Sequence, residues 1–224
     1  SVKTIGDYAF ADCSALKTLV VKDGVGTIGS YILNKCIAVE SVTFPYVGNT
    51  LENTNKSDSN YQLAARLFNS SVEGKTYYTG NYYVPYTLKK ITITGGTRIP
   101  TNAFEDLSEV TEIIIPNNVT SIGNNAFYNC TSMTTRNLTN KLTSIGSSAF
   151  YNCNAAEFND IVFPETLTSI GSLAFYNCDG ITNVTIPGSV KTIGDHAFDD
   201  CSSLKTLVVK DGVGTIGSYI LNKC

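Results

Sequence analysis

The chain reads as a repeat solenoid in which each turn of about 23 residues gives one strand to a single parallel β-sheet, with short turns or helical segments on the return side. Three observations carry that expectation. The hexapeptide IGxxAF recurs as IGDYAF at Ile5, IGNNAF at Ile122, IGSSAF at Ile145, IGSLAF at Ile170 and IGDHAF at Ile193, with variants IGSYIL at Ile28 and Ile216 and IPTNAF at Ile99. A segment of strand character follows each copy at a fixed distance, and the seven Cys fall three residues after the Phe or Leu that closes a hexapeptide. From Ile99 onward the copies are 23, 23, 25, 23 and 23 residues apart, and Ile5 and Ile28 are also 23 apart. The 71-residue gap from Ile28 to Ile99 is close to three periods and contains a degenerate match, LAARLF at Leu63 to Phe68.

Within a turn the hexapeptide comes first. Gly6, Gly29, Gly123, Gly146, Gly171, Gly194 and Gly217 take its second place, where a close-packed bend tolerates no side chain. Phe10, Phe104, Phe127, Phe150, Phe175 and Phe198 then fill the interior as an expected aromatic stack, each worth about 1.5–3 kcal/mol when buried. One turn cannot bury its own Phe, so stability has to come from neighbours on both sides. Cys13, Cys36, Cys130, Cys153, Cys178, Cys201 and Cys224 are one site repeated, with no CxxC pair and no adjacent His. That arrangement points to reduced, buried thiols that pack as small apolar groups with a weak donor, against zinc and against a disulfide framework. Leu107 in the corresponding place can replace packing and cannot replace a ligand.

The strand segments are LKTLVVK at Leu16 and Leu204, VESVTFP at Val39, LKKITIT at Leu88, VTEIIIP at Val110, MTTRNLT at Met133, FNDIVFP at Phe158 and ITNVTIP at Ile181. Their apolar residues sit at the first, fourth and sixth places, so the fourth to sixth residues alternate inward, outward, inward, the period of a sheet covered on one face. The outward places are mostly small and polar, such as Thr18, Ser41, Thr43, Thr92, Asn183 and Thr185. A face of this kind is either a broad binding surface or a plain soluble one.

Residues 46–87 break the pattern and hold seven of the thirteen Tyr. Two readings stand for this irregular segment. Tyr77, Tyr78, Tyr82, Tyr83 and Tyr86 are candidate partner-binding residues, because Tyr offers a rigid apolar face and a hydrogen-bonding tip. The same residues could patch the core where the Phe stack is interrupted.

Residues 1–36 and 189–224 agree at 33 of 36 positions, which indicates duplication of a multi-turn block and a slice of a longer array. The three differences are Tyr8/His196, Ala11/Asp199 and Ala15/Ser203, all read as lying outside core positions. His196 with Cys201 is the one pairing that looks like a hydrolase fragment, and Tyr8 at the equivalent place of the first block argues against it. A solvated His is the simpler reading.

A chain of 224 residues, net charge -3, with 16 basic against 19 acidic residues and no Lys or Arg run, lacks the electrostatic footprint of a nucleic-acid partner. No apolar stretch is long enough for membrane insertion. One His and no sequence motif for nucleotide, zinc or calcium binding leave no catalytic residue, cofactor or metal to assign.

VTEIIIPNNVTSIGNNAFYNC, residues 110–130, closely resembles the repeat of the BspA-like leucine-rich-repeat family, and the resemblance recurs along almost the entire chain. It implies a right-handed leucine-rich-repeat superhelix over residues 1–224 as one domain, interrupted at 46–87. It also implies a bacterial protein, secreted or at the cell surface, that attaches to host or cell-surface protein or glycan, with no catalytic residues to carry over. A stalk that spaces other domains from the surface, or an accessory region of a larger secreted enzyme, are the alternatives.

Overall fold

The structure, a computed structural model, describes residues 2–47, 50, 62–79, 82–134, 138–155 and 159–224. It is a parallel β-solenoid of about eight turns with almost no helix. The expected strands form a column: Thr18–Val20, Ser41–Phe44, Lys90–Ile93 and Glu112–Ile114 pair in parallel, as do Asp160–Val162, Asn183–Ile186 and Thr206–Val209. Register keeps equivalent residues together, for example Val42 beside Ile91 and Ile91 beside Ile113. Between the two sections lies the MTTRNLT segment, whose residues 135–137 are outside the described residues, as is Phe158.

A second parallel ladder, not anticipated from the sequence, runs on the return side. Its strands are only two residues long: Arg98–Ile99, Ser121–Ile122, Ser144–Ile145, Ser169–Ile170, Thr192–Ile193 and Thr215–Ile216 form six, and Thr4–Ile5 pairs with Thr27–Ile28. The Ile of every pair but the last is buried, Ile216 being exposed, and a Gly after the Ile continues the ladder, as in Gly146 N–H to Ile122 O at 2.9 Å. Two-residue strands are too short for alternation to be visible, which is why a period-two search passes over them.

The reason for Gly becomes explicit here. A Cβ placed on Gly146 would lie 2.6 Å from Asn124 N and from Gly123 C of the preceding turn. A Cβ on Gly6 meets nothing within 4 Å. Close approach of backbones, not a special dihedral, is thus the requirement. The special dihedrals fall elsewhere: φ is between 51° and 60° at the fourth hexapeptide place, from Tyr8 to Tyr219, and at the residue before each Cys or its equivalent, from Asp12 to Lys223. Asn and Asp tolerate this left-handed region better than most side chains, which explains Asp12, Asp106, Asn129, Asn152, Asn177 and Asp200. Their side chains also form a ladder, with Asn152 Nδ2 donating to Asn129 Oδ1 at 2.9 Å and Asn177 Nδ2 to Asn152 Oδ1 at 2.7 Å.

Inside, Phe104, Phe127, Phe150, Phe175 and Phe198 stack with successive centroids 4.9–5.2 Å apart. Phe10 is not in that stack, because its neighbour across the next turn is Ile32-Leu33, and both of those are fully buried. Each Phe carbonyl accepts a thiol from the turn that follows. Cys153 Sγ donates to Phe127 O and Cys178 Sγ to Phe150 O at 3.0 Å, and Cys36, Cys130, Cys201 and Cys224 repeat the bond. The thiol therefore both fills space and satisfies a buried acceptor, which Leu107 does not do.

All seven Cys are free; Cys13 and Cys224 are exposed and the other five buried. Burial disfavours the thiolate and pushes the pKa of the buried thiols up, that of Cys201 to about 12, against an ordinary value of 9.0. Two outcomes follow. A thiol reagent at pH 8 should label Cys13 and Cys224 in the folded chain and reach the remaining five only on unfolding, as counted by mass spectrometry. Because folding holds these thiols protonated, their contribution is intact below pH 9.0, and melting temperature should fall as pH rises from there toward about 12.

Candidate functional site

The irregular segment contains an antiparallel hairpin, Thr76–Tyr78 with Tyr83–Pro85, set beside the parallel columns. Register places Tyr77 opposite Val84 and Tyr78 opposite Tyr83, so successive side chains face opposite ways. The hairpin is anchored at its open end, where Thr87 Oγ1 lies 2.9 Å from Ile37 O and 2.8 Å from Val39 O as donor. At the same end Thr76 Oγ1 accepts from Val72 N–H at 3.0 Å.

The five candidate tyrosines divide between the two readings. Tyr77 and Tyr82 pack against the core, and burial pushes both phenols up. Tyr78 is 61% exposed, with its ring 5.1 Å from that of Tyr83, a tilted cross-strand pair. Tyr86 is 46% exposed and its ring lies 5.4 Å from Tyr77. Tyr77 and Tyr82 thereby fix the hairpin to the solenoid, Tyr78 and Tyr86 are its exposed rings, and Tyr83 is half-buried beside Tyr78.

The strand face presents two outward columns. The first is polar and internally bonded: Thr18 with Ser41 at 3.0 Å, Lys90 with Glu112 at 2.8 Å, and Asn183 Nδ2 to Asp160 Oδ1 at 2.8 Å. The second is β-branched, with Val20, Thr43, Thr92 and Ile114 in one section and Val162, Thr185 and Val208 in the other. Val162 is 77% exposed.

His196 is half-buried, and its Nδ1 donates to Asp199 Oδ2 at 2.7 Å. Its ring stacks on Tyr219, with centroids 5.2 Å apart. Cys201, the supposed partner, is buried and donates its thiol to Phe175 O. Asp199 corrects the sequence reading: it is 4% exposed and belongs among the buried polar residues, its Oδ2 accepting from His196 Nδ1 and from Asn222 Nδ2 of the next turn. That same place carries a surface ladder missed in the sequence, Tyr128, Tyr151 and Tyr176, with rings 4.8 and 4.7 Å apart. The recurring YNC tripeptide was its signal. Its rings spend their faces on one another, so what it offers outward is ring edges and hydroxyls.

Among the described residues no group of three or more His, Cys, Asp or Glu is placed to hold a metal ion, and no helix is long and apolar enough to cross a membrane.

Stacked turns that repeat one backbone ladder, with the variable side chains on a hairpin and an open strand face, define a repeat-scaffold protein. The model of the BspA type leucine rich repeat region matches residues 1–96 and 97–224 in six copies, so the chain belongs to that family. No curated protein matches it. Among solved structures, a Treponema pallidum leucine-rich-repeat protein is 19% identical, with 96% of this chain and 77% of that one covered and a TM-score of 0.57. A leucine-rich cell surface protein of Faecalibacterium prausnitzii is 22% identical, with 94% of this chain covered and a TM-score of 0.53. This chain spans 64% of the length of that second protein. Both likenesses concern the fold. The family and these neighbours are repeat proteins, not catalytic families.

Proposed function

We propose that this chain is a non-catalytic extracellular binding or adhesion module that recognises protein or glycan on a host or other cell surface through the hairpin tyrosines and the strand face. One observation carries the reading: the hairpin leaves the repeating ladder and exposes Tyr78 and Tyr86, with Tyr83 half-buried beside Tyr78, while Tyr77 and Tyr82 fix it to the core. Rigid amphipathic rings on an anchored element supply contact area at small entropic cost. A family whose solved members include a cell surface protein is consistent with that location.

The test spares the packed pair. Replacing Tyr78, Tyr83 and Tyr86 by Ser removes the Tyr78–Tyr83 and Tyr77–Tyr86 ring pairs, each worth about 0.2–1 kcal/mol, so the melting temperature should fall by only a few degrees. Binding to cells or to immobilised matrix protein and glycan should fall about tenfold or more. Undiminished binding by the folded variant would leave the hairpin without a recognition role, and no binding by either chain would favour the spacer.

A further inference from the structure

One surface of this molecule occurs twice, once covered and once bare. Residues 16–36 and 204–224 are identical in sequence. Against the first copy lie the strand Ser41–Phe44 and the helix Leu63–Leu67. On the corresponding side of the second copy Thr206–Val209 and Thr215–Ile216 are the outermost strands of their sheets, and no described element covers them. Leu33 is accordingly 0% exposed and Leu221 41%, while Val21 and Ile28 are buried where Val209 and Ile216 are exposed. Cys36 is buried and Cys224 is exposed.

The covered copy shows what the bare one fits. Thr18–Val20 pairs in parallel with Ser41–Phe44, Thr18 opposite Ser41, and Val21 N–H donates to Thr43 O at 2.8 Å. Lys17 O accepts from Glu40 N–H at 2.8 Å, and Lys17 Nζ meets Glu40 Oε1 at 2.9 Å. On the return side Ile32 N–H donates to Arg66 O at 3.1 Å and Leu33 N–H to Leu67 O at 2.9 Å, while Asn34 Oδ1 accepts from Ser70 N–H at 2.9 Å. Lys205, Val209, Ile220, Leu221 and Asn222 hold the same places in the second copy. The first turn of another copy stacked end to end is a poorer match, because it opens with IGDYAF, and the Ile-Leu pair of IGSYIL faces a Leu-Ala-Ala-Arg-Leu helix here instead of an Ala-Phe pair.

We propose that the face formed by residues 205–209 and 216–224 captures, from a second polypeptide, a strand and helical turn of the chemistry of residues 37–72. Strand addition to the free edge of Thr206–Val209 supplies the main-chain bonds. A Glu opposite Lys205 sets the register, and an apolar helical turn closes over Ile220 and Leu221.

Thiol alkylation of the whole chain, with a synthetic peptide of residues 37–72 as probe, tests this with an internal control. Cys224 lies on the bare face and Cys13 lies in the first turn, so saturating peptide should slow labelling of Cys224 about tenfold and leave Cys13 unchanged. Leu221→Asp should abolish the protection. Lys205→Glu should weaken it about threefold, and the Glu40→Lys peptide should recover that loss. Both substituted side chains are exposed in the free chain, and its melting temperature without peptide reports that each variant is folded. Unslowed labelling of Cys224, equal slowing of Cys13, or protection that survives Leu221→Asp would overturn the proposal. Protection of both thiols as the concentration of the chain alone is raised would assign the face to end-to-end contact between copies and overturn it as well.

Discussion

Gly146→Ala should destabilise the chain by about 3 kcal/mol, while Gly6→Ala, the same motif position, should change stability by no more than about 1 kcal/mol. The added methyl at Gly146 would lie 2.6 Å from Asn124 N, Asn124 Oδ1 and Gly123 C, and two of those three atoms are backbone that cannot swing aside. Relief requires the two turns to separate, which strains Gly146 N–H to Ile122 O at 2.9 Å and Ser147 N–H to Asn124 Oδ1 at 2.9 Å. Both bonds tie consecutive turns together on the return side, so the damage is shared by the neighbouring turns. At Gly6 there is nothing within 4 Å to strike, and its φ is not in the left-handed region, so Ala is accommodated. Equilibrium denaturation of the two variants reads the difference directly. Equal effects would mean that Gly is needed for local conformation instead of for contact between turns.

His196→Tyr should be the more damaging of two natural-looking changes, with a loss of about 2 kcal/mol or more, and Asp199→Ala added to it should recover most of that loss. Both replacement residues are already proven in the fold, because Tyr8 and Ala11 occupy these places in the first block. The Tyr ring can keep a stacking neighbour, as Tyr8 does with Tyr31, so the substitution mainly removes the Nδ1 donor. What remains is a carboxylate with Oδ1 buried and unpartnered and Oδ2 held only by Asn222 Nδ2 at 3.4 Å. An uncompensated buried carboxylate is what makes the single change costly, and deleting it should be restorative. Additive losses in the double-mutant cycle would show that the pair is not one coupled unit.

Much of this architecture is legible in the chain because its elements repeat. The Ile-Gly-x-x-Ala-Phe period located the turns, and the strand segments were found where the inward-outward-inward pattern is clear, as in Asn183–Ile186. The two-residue return ladder was not, since Ser121–Ile122 is too short to carry a period. Position within a turn predicted burial well for Ala126, Phe127 and Cys130, and badly for Asp199, whose polar type suggested solvent. Composition alone marked residues 46–87 as irregular, but only the hairpin register separates Tyr78 and Tyr83 from Tyr77. The Arg66 Nη1 bond to Ser30 Oγ joins residues 36 positions apart, a proximity that no local pattern encodes.

The regular turns differ little in the contacts they make, so the ladder serves as scaffold and the proposed recognition falls to the hairpin and the outward strand columns. A hydrogen-exchange footprint of the chain bound to a cell-surface or glycan partner tests that division most directly. Protection should appear in residues 76–86 and along the outward strands, with the return ladder unchanged between free and bound chain. Protection confined to the Tyr128, Tyr151 and Tyr176 edge, with residues 76–86 exchanging as in the free chain, would contradict it.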